Sequence, residues 1–238
     1  MEREGALRLR HHPRLMCNRY APPRPEDVVQ RWRPRQAQVD YPPGPVFPWA
    51  PGPFLRAAQD GAIGERDLVV GPWGLVPWFA KSARLPYSTN NARFEELASK
   101  ASYRQPWARG QRCVIPAEWF DEPCWETGRN VWWRFRRADG EPWALAGLWN
   151  TWVDRASGEV VESYTMLTLN ADGHPWMGRM HKPDPALPPD AQDKRSVVVL
   201  SPQDVDPWLF GPPALAASLV RLAPAEDFDA RPLSKGEV

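Results

Sequence analysis

The sequence predicts an α+β fold: a mainly antiparallel, partly closed, barrel-like sheet flanked by a few short helices. Three observations predict it. Short apolar runs bounded by turn residues dominate the middle of the chain, helical patterns are few and short, and no internal repeat is present.

Residues 1–15 lack apolar periodicity and read as a flexible arm or a mis-assigned translation start, so the domain is expected over 16–223, with 224–238 as a C-terminal tail. Pro25 suits the first turn of a short helix running through Glu26 to Trp32, with Val28, Val29 and Trp32 on it. The Pro/Gly-dense stretch from Tyr41 to Pro53 reads as a loop. A helix is expected over Phe94 to Lys100, with Phe94, Leu97 and Ala98 on one face. Arg112 to Pro116 is a short apolar strand. Val131 to Arg136 and Trp143 to Trp149 flank Ala138-Asp139-Gly140, the pattern of a hairpin closed by an Asp-Gly turn. Ser163 to Leu169 and Ser196 to Leu200 add two strands, and the Pro- and Asp-rich segment from Lys182 to Arg195 reads as a surface loop. A last short helix follows Ser201-Pro202, with Ser201 as its cap and Asp204 in the first turn.

Composition narrows the function classes. The hydrophobic content of 42% over 238 residues is enough for a sizeable core. No window approaches the roughly 18 apolar residues of a membrane span, and the first residues are too charged for a signal peptide, which predicts a cytoplasmic protein without a membrane partner. Three cysteines, Cys17, Cys113 and Cys124, lack paired metal-ligand spacing, so neither a disulfide framework nor a zinc site is indicated and no metal or cofactor is expected. Each cysteine is therefore structural or reactive. A net charge of +1 is not that of a general duplex binder, although a local basic groove remains compatible with it. The 14 tryptophans are mostly core candidates, with one or more available as stacking surfaces.

Met16-Cys17-Asn18-Arg19-Tyr20 is a weak signal alone. It is followed in order by Trp73-Gly74-Leu75-Val76-Pro77-Trp78, Asn91-Ala92-Arg93-Phe94-Glu95, Arg112-Cys113-Val114-Ile115-Pro116-Ala117 and Ala146-Gly147-Leu148-Trp149, with a looser histidine segment at Arg179-Met180-His181-Lys182-Pro183. This ordered set resembles the SOS-response-associated peptidase family, with Asn18 standing where the family usually has glycine. The resemblance implies a DNA-damage protein, nucleoid-associated when acting, whose partner is single-stranded DNA containing abasic sites.

It also implies roles. Cys17, made N-terminal, would form a thiazolidine with the sugar aldehyde. Glu122 would move protons, with Glu118 and Glu126 as alternative acids, and His181 would act on the sugar oxygen, with His174 as the alternative. Two departures adjoin the acid: Trp119 replaces a usual glycine and Pro123 a usual tryptophan. Asn91 would hold the sugar. Arg19, Trp73, Arg93 and Arg195 would contact DNA, although Trp73 reads equally as core and Arg195 is displaced by an insertion after His181. The chain is expected to act as a monomer. Two further classes stay open: a non-covalent module for single-stranded or modified DNA, and a thiol peptidase pairing Cys17 with His181.

Overall fold

The computed structural model describes residues 17–36, 38–234 and 236–237. Its elements are β1 (Tyr20–Ala21), α1 (Pro25–Trp32), β2 (Pro51–Ala57), β3 (Arg66–Pro72), β4 (Asn91–Arg93), α2 (Ala101–Ala108), β5 (Arg112–Ala117), β6 (Trp119–Cys124), β7 (Val131–Arg137), β8 (Trp143–Val153), β9 (Val160–Asn170), β10 (Arg195–Val197), β11 (Val199–Leu200), α3 (Val205–Phe210), α4 (Pro213–Ser218) and β12 (Phe228–Pro232). The expected arm, residues 1–15, lies outside the described residues.

The fold is α+β, with two sheets and short helices. A four-stranded sheet runs β1-β6-β7-β12; an eight-stranded sheet runs β10-β9-β8-β5-β2-β3, with β11 on β8 and β4 on β9. All of these pairings are antiparallel except β4 with β9. The larger sheet does not close into the expected barrel. Directly after β3 the chain meets β9 at the bridge Trp73↔Tyr164, where Gly74 N–H donates to the Tyr164 carbonyl at 2.9 Å, and β4 then pairs with β9 in parallel.

Period-two alternation explains how one sheet serves two cores. On β5, Cys113, Ile115 and Ala117 face the core between the sheets, beside Phe120, Phe135, Trp143 and Phe228. Val114, between them, faces the opposite core, where Val28, Trp32, Leu97, Tyr103 and Trp208 cover the outer face. β8 divides likewise, Trp143 and Leu145 inward, Ala144 and Ala146 outward. Burial on both faces is why β5 and β8 read as continuous apolar runs. At Gly147 a side chain has no room: a Cβ there would lie 2.8 Å from the Cys113 sulfur and 2.5 Å from the Thr165 carbonyl.

Several expectations are corrected. β7 and β8 are not a hairpin: β7 pairs with β6 and β12, β8 with β5 and β9, and the Asp139-Gly140 turn carries the chain from one sheet to the other. The helix expected over Phe94 to Lys100 is a single 3-10 turn, Phe94–Glu96, and the α-helix begins only at Ala101. Ser201 does stand before a helical turn, but its hydroxyl bonds the Asp204 carboxylate and caps no backbone group. Pro51 and Pro53, read as loop, open β2. The 224–238 segment is not a free tail, because β12 pairs residue by residue with β7 and Phe228 enters the inter-sheet core. Among the described residues no helix is long and apolar enough to cross a membrane.

Candidate active site

β6 sets the site. Its apolar residues Phe120 and Cys124 point into the inter-sheet core, so alternation turns Glu122, midway between them, inward as well. Asp121 faces the other way. It is gripped by Arg134 through two hydrogen bonds of 2.9 and 3.0 Å and approached by Arg19 at 3.4 Å. Arg134 in turn lies 3.5 Å over the Trp119 ring. Thus Trp119, at the position where the resemblance leads one to expect glycine, forms the surface that seats the Asp121 clamp.

Glu122 is buried, and its Oε2 lies 2.9 Å from Nε2 of His181. Burial raises its pKa above the usual carboxylate range, against a lowering influence of His181, so a proton stays on the carboxyl to higher pH than in water. His181 is held from both sides in a left-handed backbone conformation, φ 63°. Its N–H donates to the Pro123 carbonyl at 2.6 Å, and its carbonyl accepts from Lys194 Nζ at 2.7 Å. Nδ1 is buried without a partner among the described residues.

Cys17 is buried at the edge of the same core. The amides of Asn91 and Asn90 reach its carbonyl oxygen at 2.7 and 3.4 Å. Its thiol pKa is pushed well up, first by burial and then by the charge of Glu122, which places the sulfur and the carboxylate in one electrostatic neighbourhood. The buried thiol thus feels the charge of a buried carboxyl that is itself hydrogen-bonded to an imidazole, and the cysteine main chain is held by two asparagines.

The other expected residues fall elsewhere. Trp73 is fully buried; its indole N–H donates to the Asn90 carbonyl at 2.8 Å and Tyr20 packs edge-on at 5.1 Å, so it has no face for a base and instead supports Asn90. Arg195 is buried between Glu95 at 2.6 Å, Asp193 at 3.2 Å and the Thr168 carbonyl at 2.9 Å. It has no free fork for a phosphate. Arg93 keeps more exposure and pairs with Asp193 at 2.6 Å. Arg19 also donates to the Glu237 carbonyl at 3.0 Å.

His174 is a structural histidine: Nδ1 accepts from the N–H groups of Trp176 and Met177 at 3.2 and 3.1 Å, and Nε2 meets the Ala223 carbonyl at 2.9 Å. Glu126 is tied to Arg179 at 2.7 and 2.8 Å and Glu118 lies near Arg136, so neither is inside the core with Cys17.

Sequence reasoning missed Asn90 and an aromatic surface. Phe79 and Tyr87 line a groove of about 450 Å³ with Asn91, Arg93 and Lys100. Next to Phe79, Trp78 is 58% exposed and the two rings meet edge-on. The signal available was Trp78-Phe79 directly after Pro77, a pair of large aromatics in a turn. Among the described residues no group of three or more His, Cys, Asp or Glu could hold a metal ion.

The comparisons with known proteins agree with one another. A family model described as SOS response associated peptidase (SRAP) matches residues 16–236. The abasic site processing protein YobE of Bacillus subtilis is 31% identical over 186 residues, covering 76% of this chain and 80% of that one. The abasic site processing protein HMCES of Xenopus tropicalis is 26% identical over 230 residues, covering 85% of this chain and 64% of its own. The crystal structure of a protein from Bordetella bronchiseptica shares 31% identity at a TM-score of 0.79, covering 92% of this chain and all of that chain.

Proposed function

Because the chain belongs to the SOS response associated peptidase family, we propose that it processes abasic sites in single-stranded DNA by bonding covalently to them through Cys17. Its relatives YobE and HMCES carry the name abasic site processing protein. The observation that carries the reading is the buried Glu122–His181 pair, 2.9 Å apart, in the electrostatic neighbourhood of Cys17.

The chemistry needs Cys17 as a free N-terminus, reached by removal of residues 1–16. An open abasic deoxyribose offers an aldehyde. The α-amine, with a pKa of about 7.7–8.0, is partly neutral near pH 7 and attacks that carbon. A C–N bond forms, the aldehyde oxygen leaves as water, and the thiol adds to the resulting imine carbon to close a five-membered thiazolidine. Protons must move from the sugar hydroxyl to the ring oxygen as it opens, from the amine to the oxygen that leaves as water, and from the thiol to the imine nitrogen as the thiazolidine closes. Glu122, whose burial keeps it able to hold a proton, and His181 at its side supply and accept them. Asn90 and Asn91 fix the cysteine main chain so that amine and sulfur face the same carbon.

The DNA grip is reassigned from Trp73 to the exposed Trp78, Phe79 and Tyr87, whose rings offer stacking faces beside Arg93 and Lys100. A thiol peptidase pairing Cys17 with His181 is less well supported, since His181 Nε2 engages Glu122 and burial holds the thiol in its neutral form.

The test uses protein beginning at Cys17 and an oligonucleotide with one abasic site. A heat-stable adduct on a denaturing gel is expected with that strand and not with intact DNA; no adduct would overturn the proposal. Intact mass of the protein made in cells then shows whether the terminus at Cys17 arises naturally.

A further inference from the structure

The segment between His181 and β10 reads in the sequence as an insertion, and it returns to the histidine from which it departs. Lys194, at its end, is 7% exposed, and its ammonium donates to the carbonyls of Met180 at 2.6 Å and His181 at 2.7 Å. An ammonium buried against two backbone carbonyls is an uncommon arrangement for lysine, which ordinarily keeps its charge in water. The lysine is itself anchored: the Asp172 carboxylate accepts from the N–H groups of Lys194 and Asp193 at 2.8 and 3.1 Å, and the Lys194 carbonyl accepts from Ala171 N–H at 2.7 Å. These contacts bracket a histidine with φ 63°, a left-handed conformation that is unfavourable for a residue other than glycine and persists where the surrounding structure holds it. One side is held by Pro123 on β6, adjacent to Glu122. The other side is held by Lys194.

We infer that Lys194 is the positioning residue for His181, fixing its backbone from the insertion loop so that the imidazole meets Glu122. The lysine touches neither substrate nor reacting atoms; it acts through the histidine. The loop from 182 to 194 is then a brace for the site, and Asp172 is the point from which the brace is hung. This role rests on the reading that His181 moves protons during crosslinking. Displacing a proton-transfer group by about 1 Å lowers rates by about a hundredfold.

The test compares parent, Lys194→Met, Lys194→Gln and Lys194→Arg, all beginning at Cys17, for crosslinking rate at saturating abasic single-stranded DNA, for affinity and for the ring signals of His181 in a histidine-labelled NMR spectrum. Lys194→Met is expected to crosslink tenfold to a hundredfold more slowly with unchanged affinity, and its His181 signal to shift or broaden. Lys194→Arg, which keeps a charged donor, is expected to recover most of the rate. Lys194→Gln, with a shorter neutral donor, falls between and serves where Lys194→Met does not fold. Folded Lys194→Met or Lys194→Gln that crosslinks at the parental rate, or Lys194→Arg as slow as Lys194→Met, would overturn the inference. If the parent itself forms no adduct, the crosslinking reading fails instead, and an unmoved His181 signal in folded Lys194→Met or Lys194→Gln would independently overturn the positioning role.

Discussion

In the proposed reaction Cys17, Glu122 and His181 would divide the work by environment. The sulfur is buried, and its thiol proton is retained by burial and by the neighbouring carboxylate, so the amine rather than the thiol is the group ready to attack first. Cys17→Ala is therefore expected to abolish the stable adduct and Cys17→Ser to leave at most a weaker one, whereas Cys113→Ala and Cys124→Ala crosslink as the parent does; denaturing gels of the four variants check this. Glu122 makes a sharper forecast because its two roles pull apart. A carboxyl whose pKa is raised in the folded state contributes stability below its unfolded value of about 4.3, and that contribution is lost as pH rises through the folded value. Glu122→Gln removes the buried charge, so its melting temperature should exceed the parent's at pH 7–8, with the difference shrinking toward pH 4. The same substitution should slow crosslinking by about a hundredfold to ten-thousandfold, the usual effect of losing a positioned acid. A variant both less stable at neutral pH and as fast as the parent would contradict both roles.

The strands explain what was legible in the sequence and what was not. β5, β8 and the middle of β9 were readable because both faces are buried there and most of their central residues are apolar. β6 was not, since Asp121, Glu122 and Pro123 break any apolar run; they are tolerated only because Arg134 and His181 partner the two acids across elements. Glu122 and His181 were each named from the resemblance but not as a pair, and both their hydrogen bond and the geometry that separates His181 from His174 lie in tertiary contacts that local pattern does not carry. The hairpin error has a similar origin: an Asp-Gly turn fixes the local reversal but not which sheet the next strand joins. Trp73 read equally as a stacking surface and as core, and it is buried in the core, whereas exposed aromatic rings lie a few residues on, in the loop leading to β4. A prediction follows for that loop and β4 together. Trp78→Ala should weaken binding to single-stranded DNA by about 1–3 kcal/mol with little change in its salt slope. Arg93→Ala should lower the slope by about 0.7. Titrations at several salt concentrations separate the two, and identical slopes for parent and Arg93→Ala would remove Arg93 from the DNA contact.

Taken whole, the molecule is two sheets whose shared core is closed by its last strand. Phe228 packs against Phe120, Phe135 and Trp143, with ring centroids 6.5, 6.0 and 5.1 Å away. Phe228→Ala should cost about 3–5 kcal/mol, readable as a lowered denaturant midpoint, and truncation after residue 223 should abolish cooperative unfolding. A truncated chain that melts like the parent would make β12 an accessory. The parallel pairing of β4 with β9 has a different consequence, one of timing. Asn91 meets the Cys17 carbonyl across 74 residues of chain, and His181 meets Glu122 across 59. Contacts so distant in sequence form late, after the entropy of closing long loops has been overcome. During synthesis Cys17 emerges long before His181, so the contacts on which the proposed crosslinking rests are completed only when most of the chain has been made. In pulse-labelled refolding, amide protection at Asn91 to Arg93 should therefore arrive with that of β9 and never ahead of it, and the capacity to trap an aldehyde should appear in the same kinetic phase.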